Sequence, residues 1–434
     1  MGDKPLIGKY YSAAGPTASE CALRMKASIK QACILVGGKG TRLGDITRAI
    51  PKPLLDMGEG ITFLDLLIEQ VARQGFNDLV LLAGYLGDLI QARYHGRTFG
   101  TARVRVLVEP KPRGTAGALI SALDILDPRF ILLNGDSLFD INIRALAAGD
   151  DASCEAVIAL RCVPEASRYG TVELNGDRVV RFREKVNDSG PALINAGIYV
   201  LSAAIVNRIH ALPCSLETEI FPILAEEGRL KGRIRDGYFL DIGLPETLQQ
   251  SRRELLPFSR RPAAFLDRDG VINRDRGYVH RPHQVEWIAG APESVRRLND
   301  LGYRVIIVTN QAGVAHGYYR EENIIALHDW MQQKLAAKGA FVDAFYYCPY
   351  HPDARVEKFR GDHFDRKPNP GMILRAFSEM QIDKDHSFLI GDKDSDIECA
   401  FRAGIKGFLF LGGNLAAFLE DCLGSLPTVW TPGR

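Results

Sequence analysis

Two carboxylates, Asp267 and Asp269, follow a short apolar run in the segment FLDRDGVIN. Side chains at positions i and i+2 of a strand point the same way, so both acids would face one small volume at the end of the strand. Two carboxylates that share a site repel each other unless a cation or a proton lies between them. The pair therefore indicates a site of metal binding or proton transfer.

More polar groups follow later apolar runs of the same half of the chain. The runs YRVIIVTN and HSFLIGD and the loop RKPNPG add Thr309, Asn310, Lys367, Asp392, Asp394 and Asp396. Ligands of open α/β sheets bind outside the carboxyl ends of the strands, so we expect these groups to meet the acid pair. Carboxylates hold Mg²⁺, the metal neutralises a phosphate, and a carboxylate can attack phosphorus. The set predicts phosphoryl transfer.

A calcium-binding loop is the main alternative for a segment that begins D-x-D-G. Such a loop needs an oxygen ligand at its fifth position and a bidentate Glu at its twelfth. Val271 and Tyr278 stand at those positions, and neither side chain supplies the required ligand. The calcium alternative is therefore excluded.

The motifs of this half, from about Ala263 to Gly412, resemble one phosphatase family. DRDGVIN, GYVH, VTNQAGVAHG, YYCPYHP, RKPNPGM and GDKDSD are similar to the D-glycero-D-manno-heptose 1,7-bisphosphate 7-phosphatases of the haloacid dehalogenase superfamily, with histidinol phosphatase as a relative. The resemblance implies that Asp267 is the nucleophile, which forms an aspartyl phosphate, and that Asp269 is the general acid and base. It also implies Thr309 and Lys367 for the phosphoryl oxygens, Asn310 and Arg366 for the substrate, and Asp392 beside Asp267 and Asp269 for Mg²⁺.

The resemblance has one departure, in the loop before RKPNPG. That phosphatase family commonly carries a zinc loop with ligands Cys, His, Cys and Cys. Cys348 keeps the first place, but Tyr350 stands at the His place, and His363 and Asp365 stand where the later cysteines would be. Cys348, His351, His363 and Asp365 could form a mixed zinc site, since all four residue types bind zinc. We expect packing and hydrogen bonds to hold the loop instead, without stoichiometric zinc.

A glycine-rich loop, LVGGKGTRLG, occurs early in the other half and precedes PKPLLDMG. Glycines let the backbone approach phosphates closely, and cations neutralise the charge of a triphosphate. The loop is neither a P-loop, which ends in GK[ST], nor a dinucleotide fingerprint, which needs a glycine where Leu43 stands. It predicts a nucleotide site made by Gly37, Gly38, Gly40, Arg42 and Lys52.

Two carboxylates of this half, Asp136 in LLNGD and Asp241 in YFLDIG, each end an apolar run. Either one alone is more often a turn or cap residue. Beside the glycine-rich loop, and with REK and INAGIY in the same half, they predict a Mg²⁺ site next to a sugar-phosphate pocket.

This half resembles the sugar-1-phosphate nucleotidyltransferase family from about Gln31 to Glu254. GGKGTRL, PKP, LLNGD, RYGTVEL, the EK pair, LINAGIY, SLETEIFP and DGYFLDIG look most like heptose 1-phosphate guanylyltransferases. The resemblance implies that the cations of the loop bind the nucleotide phosphates and that the two carboxylates bind Mg²⁺. It implies a sugar-phosphate pocket formed by Gly170, Glu184, Lys185 and Asn195.

The elements that would position these residues alternate along the chain. ACILVGG, DLVLLAG and FILLNGD predict buried strands, and TFLDLLIEQVARQG predicts a helix that begins at a capping box of Thr62 and Asp65 and ends at Gly75. YRVIIVTN and HSFLIGD predict strands of the second half. The alternation predicts a largely parallel sheet covered by helices. It pauses at SRRELLPFSRRP, between Pro257 and Pro262, and restarts at AAFLDRDG.

We therefore expect an α/β protein with two Rossmann-like domains. A nucleotidyltransferase fold would occupy residues 31–258 and a haloacid dehalogenase-like fold residues 259–434, after an N-terminal extension of unknown role at 1–30. The charges nearly cancel, with 54 Lys and Arg against 53 Asp and Glu, so nothing indicates a nucleic-acid or membrane partner. The eight cysteines form no CxxC pair and no secretory leader is seen, so we expect a cytoplasmic setting without disulfides.

The two resemblances together predict a bifunctional enzyme of GDP-D-glycero-D-manno-heptose synthesis with Mg²⁺ in both domains. Its partners would be small molecules, namely GTP or another nucleoside triphosphate and heptose phosphates; the oligomeric state is left open. One alternative is a uridylyl- or thymidylyltransferase joined to a histidinol-phosphate-type or broad sugar phosphatase. Another is a sugar-nucleotide sensor that no longer turns over.

Overall fold

Two large β-sheets organise the part of the chain described by the computed structural model, which covers residues 28–148, 153–166, 170–183 and 190–426. The strands are β1 Gln31–Val36, β2 Asp78–Ala83, β3 Thr98–Phe99, β4 Ala102–Val108, β5 Arg129–Asn134, β6 Ser137–Phe139, β7 Ala156–Val163, β8 Thr171–Asn175, β9 Arg178–Arg183, β10 Ala192–Ser202, β11 Leu230–Ile234, β12 Phe239–Asp241, β13 Arg261–Leu266, β14 Arg304–Asn310, β15 Ala344–Cys348, β16 Ile382–Gly391 and β17 Lys406–Leu409.

Helices cover both sheets. The α-helices are α1 Phe63–Ala72, α2 Gly87–Tyr94, α3 Gly114–Gly117, α4 Ile143–Ala148, α5 Phe221–Glu226, α6 Pro245–Ser259, α7 Ala291–Asp300, α8 Ala312–Ala315, α9 Glu321–Ala336, α10 Gly371–Glu379, α11 Asp394–Ala403 and α12 Leu415–Gly424. Within the described ranges, none of them is long and apolar enough to cross a bilayer.

The first sheet has ten strands in the order β3-β4-β2-β1-β5-β10-β7-β11-β9-β8. Its β4-β2-β1-β5 part is parallel, as predicted from the alternation of strands and helices. Beyond β5 the sheet is mixed, because β10 runs antiparallel to both β5 and β7. Strands β8 and β9 are joined by a tight turn and are antiparallel. A parallel pair would need a crossover of a dozen or more residues.

The second sheet has five strands in the order β15-β14-β13-β16-β17, and every pairing in it is parallel. Its strands are hydrophobic along nearly their whole length because helices cover both faces. The predicted α/β class with two Rossmann-like units is confirmed. All five strands predicted from apolar runs form, as β1, β2, β5, β14 and β16.

The predicted helix after the glycine-rich loop is α1, and its start is built as expected. The Thr62 hydroxyl accepts a hydrogen bond from the Asp65 amide at 3.1 Å, and the Asp65 carboxylate accepts one from the Thr62 amide at 2.9 Å. Gly75, which follows the helix, has a φ of +79°, a conformation that glycine adopts without strain.

The segment SRRELLPFSRRP, where the alternation of strands and helices pauses, is mostly helical. Helix α6 runs through Pro257 to Ser259, and only Arg260 separates it from strand β13. Proline lacks an amide hydrogen and disturbs the turn before it, but here it lies in the last turn, where the helix is about to end. The two sheets are therefore joined by a helix and one residue rather than by an extended linker.

The two halves contact each other through buried ion pairs. Arg261, the first residue of β13, donates two hydrogen bonds to the Asp140 carboxylate, at 2.8 and 2.9 Å. Both side chains are buried, with 8% and 5% of their surface exposed. A bidentate guanidinium–carboxylate contact satisfies both charges at once, which a buried pair requires.

A second group of contacts lies beside this pair. Arg73, which follows α1, donates to the Asp343 carboxylate at 2.9 Å and to the Tyr303 carbonyl at 3.3 Å. Arg304, the first residue of β14, reaches Glu69 of α1 at 3.0 Å. These contacts all involve the starts of the strands of the second sheet, or residues next to them.

We predict that Asp140→Ala destabilises the chain by about 3–5 kcal/mol, because it removes the carboxylate that accepts two hydrogen bonds from the buried Arg261 guanidinium. Urea unfolding checks this through the shift in midpoint at constant slope. Glu420→Ala is the matched control, since it removes an ion pair with Arg297 whose side chains are about half exposed. That change should cost about 1 kcal/mol or less. Equal losses in the two variants would contradict the prediction.

Candidate active sites

The glycine-rich loop is shaped by its contacts with Thr47 and Lys52. Gly40 has a φ of +64°, and a Cβ there would lie 3.0 Å from the Thr47 side chain and 3.3 Å from that of Lys52. The Thr47 hydroxyl also donates to the Gly40 carbonyl at 3.0 Å. A Cβ at Gly38, by contrast, would meet nothing within 4 Å, so space remains beside this backbone for a ligand.

Lys52 joins this loop to the first predicted metal ligand. Its ammonium is largely buried and lies 2.9 Å from Asp136, which follows β5. Strand β12 pairs with β6, and the Ile242 amide donates to the Asp136 carbonyl at 3.0 Å, so Asp241 is brought beside Asp136. Burial raises the pKa of Asp241 and the Asp136 charge adds to the rise, whereas Lys52 and Arg42 oppose it.

The predicted sugar site is described in part. The backbone amide of Asn195 donates to the Gly170 carbonyl at 3.4 Å, and the Asn195 side chain donates to the Tyr199 hydroxyl at 2.8 Å. Gly197 has a φ of +77° and packs so closely on Ser137, the residue after Asp136, that a Cβ would lie 2.9 Å from its hydroxyl. Glu184 and Lys185 lie outside the described residues.

One acid of this half was missed by the sequence analysis. Glu109 follows β4, and a Cβ at Gly84, which follows β2, would lie 2.7 Å from its Oε1 atom. Its Oε2 atom is buried without a hydrogen-bond partner among the described residues, and burial raises the pKa of the carboxyl. Glu109 ends an apolar strand as Asp136 does, and this was the available signal.

In the second half, Lys367 lies between two buried acids. Its ammonium is 2.7 Å from Asp267, 2.6 Å from Asp396 and 3.0 Å from the Val308 carbonyl. Burial raises the pKa of Asp267 to about 7, with Asp396 adding to the rise and Lys367 opposing it. The nucleophile and the motif lysine predicted from sequence are therefore in direct contact.

Three carboxylates of this site could hold a divalent cation. One oxygen each of Asp267, Asp392 and Asp396 lie within 4.8 Å of one another. The Oδ1 atom of Asp392 is buried without a hydrogen-bond partner among the described residues. A Cβ at Gly270 would lie 2.2 Å from Asp392, so only glycine permits this approach. Oxygen ligands of this kind suit Mg²⁺, and an ion would offset the mutual repulsion.

The carboxylate of Asp269 lies outside this acid triplet and is held by three donors. Arg268 donates to it at 2.6 Å, Asn273 at 2.9 Å and Gln311 at 3.0 Å. The Gln311 amide also donates to the Thr309 hydroxyl at 2.9 Å. These contacts fix the predicted general acid and connect it to the predicted phosphate-binding hydroxyl.

Two predicted substrate residues have contacts of their own. The Asn310 side chain and the backbone of Lys367 exchange two hydrogen bonds, at 3.0 and 3.1 Å, so Asn310 positions the lysine. Arg366 is half-buried and donates to the Tyr350 carbonyl at 3.0 Å. Asp396 and Gln311, by comparison, were not assigned roles from sequence, although both belong to the quoted motifs GDKDSD and VTNQAGVAHG.

Two of the four candidate zinc ligands contact other side chains. Asp365 pairs with Arg375 at 2.8 Å, and the His363 ring stacks on Tyr350 with centroids 4.2 Å apart. Among the described residues, only the Asp267 triplet brings three His, Cys, Asp or Glu side chains close enough to hold a metal ion. The stack and the ion pair account physically for how this loop is held.

The fold and the two acid sites define an enzyme that joins a nucleotidyltransferase to a phosphatase. The chain belongs to the nucleotidyl transferase family, whose sequence model matches residues 31–256. A HAD-hydrolase-like model matches residues 364–421. The phosphatase part belongs to the family of D-glycero-D-manno-heptose-1,7-bisphosphate 7-phosphatases, and its relatives include proteins named for the β anomer and for the α anomer.

Such a relative from Rhodopseudomonas palustris is 44% identical over 164 residues, which are 38% of this chain and 91% of the relative. One from Escherichia coli is 43% identical over 144 residues, 33% of this chain and 75% of the relative. Among solved structures, HddC from Yersinia pseudotuberculosis is similar with 28% identity and a TM-score of 0.46, over 52% of this chain and 99% of that one.

We predict that the purified protein contains no stoichiometric zinc, because the side chains at the family's ligand positions are replaced or engaged elsewhere. Elemental analysis after dialysis checks this directly. About one zinc per chain, lost on chelation together with thermal stability, would contradict the prediction.

Proposed function

We propose that the chain is a bifunctional cytoplasmic enzyme of GDP-D-glycero-D-manno-heptose synthesis. Its phosphatase domain, within 259–434, would remove the 7-phosphate of heptose 1,7-bisphosphate, and its transferase domain, within 31–258, would transfer GMP from GTP to the resulting heptose 1-phosphate. The observation that carries the proposal is the presence of both acid sites on one chain whose phosphatase relatives are named for this bisphosphate. The product of the first reaction is the substrate class of the second.

The phosphatase reaction uses the contacts around Asp267. A carboxylate oxygen of Asp267 attacks phosphorus, the bond to the sugar oxygen breaks, and Asp269 gives that oxygen a proton. Water then attacks the aspartyl phosphate, Asp269 accepts its proton, and Asp267 is released as a carboxylate. Lys367 and Thr309 would bind the phosphoryl oxygens, since the Lys367 ammonium contacts Asp267 and Thr309 is buried near the end of β14.

Mg²⁺ is the ion we propose for both domains. Asp267, Asp392 and Asp396 would hold it in the phosphatase, and Asp136 and Asp241 in the transferase. When bound, such an ion neutralises phosphate charge that would otherwise repel the carboxylates.

The transferase reaction needs charge neutralisation and alignment. An oxygen of the sugar 1-phosphate attacks the α-phosphorus of the nucleotide, the bond to the β-phosphate breaks, and pyrophosphate leaves. Lys52, held by Asp136, and Arg42 of the loop would neutralise the phosphates. Gly170 and Asn195, together with Glu184 and Lys185, would line the sugar pocket.

Glu109 supplies a physical basis for choosing GTP. The phosphate loop follows β1, the metal acid follows β5, and the sugar residues lie on β10, so the nucleoside extends toward β2 and β4, where Glu109 lies. A carboxylate offers two acceptors side by side. Guanine presents two adjacent donors, N1–H and N2–H₂, whereas none of the other bases has two adjacent donors on that edge. The unpartnered Oε2 atom fits such a contact.

The Glu109 carboxylate would match UTP or dTTP less well than GTP, because uracil and thymine each present one donor between two acceptors on that edge. A non-catalytic sensor is disfavoured by the site geometry, since Lys367 contacts Asp267 and Lys52 contacts Asp136 at hydrogen-bonding distance. The seven cysteines within the described residues are all free thiols, which supports the cytoplasm as the setting.

We predict that Asp267→Asn lowers phosphatase turnover by about 10⁴-fold or more, because a neutral amide cannot replace the attacking carboxylate. Supplied with heptose 1-phosphate, GTP and Mg²⁺, this variant should still release pyrophosphate at the normal rate. Asp136→Asn is the matched counterpart and should give free phosphate without pyrophosphate. Loss of both activities in a folded Asp267→Asn protein would show that the sites are not independent.

We predict that Glu109→Gln lowers kcat/KM for GTP by roughly tenfold to a hundredfold, because the new amide turns a donor toward a guanine donor. The values for ATP and UTP should not fall. Glu226→Gln is the control, because Glu226 is an exposed residue of the same half. An unchanged kcat/KM for GTP would remove Glu109 from the base site.

A further inference from the structure

The contact between the two halves lies at one end of the phosphatase sheet, and the phosphatase site lies at the other. In β13 the first residue, Arg261, bonds to Asp140, while Asp267 follows the last residue. In β14 the first residue, Arg304, bonds to Glu69, while Thr309 is next to last. A strand rises about 3.3 Å per residue, so a six-residue strand separates the site from the contact by about 20 Å.

The transferase site is also displaced from this contact. Asp136 precedes the extended segment β6, and Asp140 follows it, so the metal acid and the interface residue are separated by roughly 13 Å of extended chain. This contact between the halves, called the junction below, is therefore about 20 Å from the phosphatase site and roughly 13 Å from the transferase site along the strands.

The junction is nearly filled beside its ion pairs. Its ion pairs are buried, and one cavity there has a volume of about 30 Å³, enough for about one water molecule. A larger cavity of about 580 Å³ opens between the halves, bounded by α4, the end of β11, the start of α7 and the segment after α9. Neither cavity is lined by a residue of either site.

We infer that the heptose 1-phosphate made by the phosphatase leaves into solvent and reaches the transferase by diffusion around the molecule. The junction holds the two domains at a fixed distance and carries no substrate. This inference rests on the proposed function, because it concerns the product of one proposed reaction and the substrate of the other.

An isotope-dilution experiment on the full chain tests the inference. Heptose 1,7-bisphosphate labelled in the sugar is supplied with GTP, Mg²⁺ and an excess of unlabelled heptose 1-phosphate. Free exchange predicts that the specific radioactivity of GDP-heptose equals that of the mixed heptose 1-phosphate pool. Undiluted label in the product would show direct transfer and overturn the inference. Absence of any GDP-heptose from either sugar would instead refute the proposed function.

A mixing experiment gives an independent readout. Asp267→Asn and Asp136→Asn chains each keep one intact site, so their mixture should convert the bisphosphate to GDP-heptose as fast as wild type at the same concentration of each intact site. The initial lag should also be the same. A slower mixture or a longer lag would show that a product reaches the site of its own chain preferentially.

Discussion

Repulsion between carboxylates at the ends of strands is the constraint on which the rest of this structure depends. Parallel strands end at a common edge, so acids that follow them are forced together. In both halves a buried lysine offsets the negative charge of these carboxylates. Lys367 contacts Asp267 and Asp396, and Lys52 contacts Asp136. Each lysine comes from a loop that the fold must bring back to the sheet, which explains the buried contacts that those loops make.

The backbone near these acids is restricted accordingly. Gly270 has a φ of +104° and leaves no room for a Cβ beside Asp392, and a Cβ at Gly391 would lie 2.1 Å from the Asp396 side chain. A Cβ at Gly40 would likewise lie 3.0 Å from the Thr47 side chain and 3.3 Å from that of Lys52. In each case the absent side chain allows a charged group to reach a position that the chemistry requires.

Much of this arrangement was predictable because it follows from local patterns. Apolar runs predicted the strands. Polar residues that follow those runs were predicted to be functional, and they include Asp136 and Asp267, which contact Lys52 and Lys367. Gln311 was not assigned, because its contact with Asp269 joins residues that follow two different strands. Glu109 follows an apolar strand as Asp136 does, but its close approach to Gly84 depends on the neighbouring strand β2. The helix at SRRELLPFSRRP was missed for a related reason, since a proline in a final turn resembles a linker when tertiary packing is unknown.

The ion pairs at the starts of the phosphatase strands restrict the substitutions that this chain can accept during evolution. The Rhodopseudomonas palustris relative matches this chain over 91% of its own length, which leaves no length for a transferase domain against that edge. Here Arg261 and Asp140 are buried together, and losing either one removes a bidentate contact between two buried charges. The two halves must therefore covary at this edge, and a phosphatase domain transplanted from a free-standing relative would need both positions altered together.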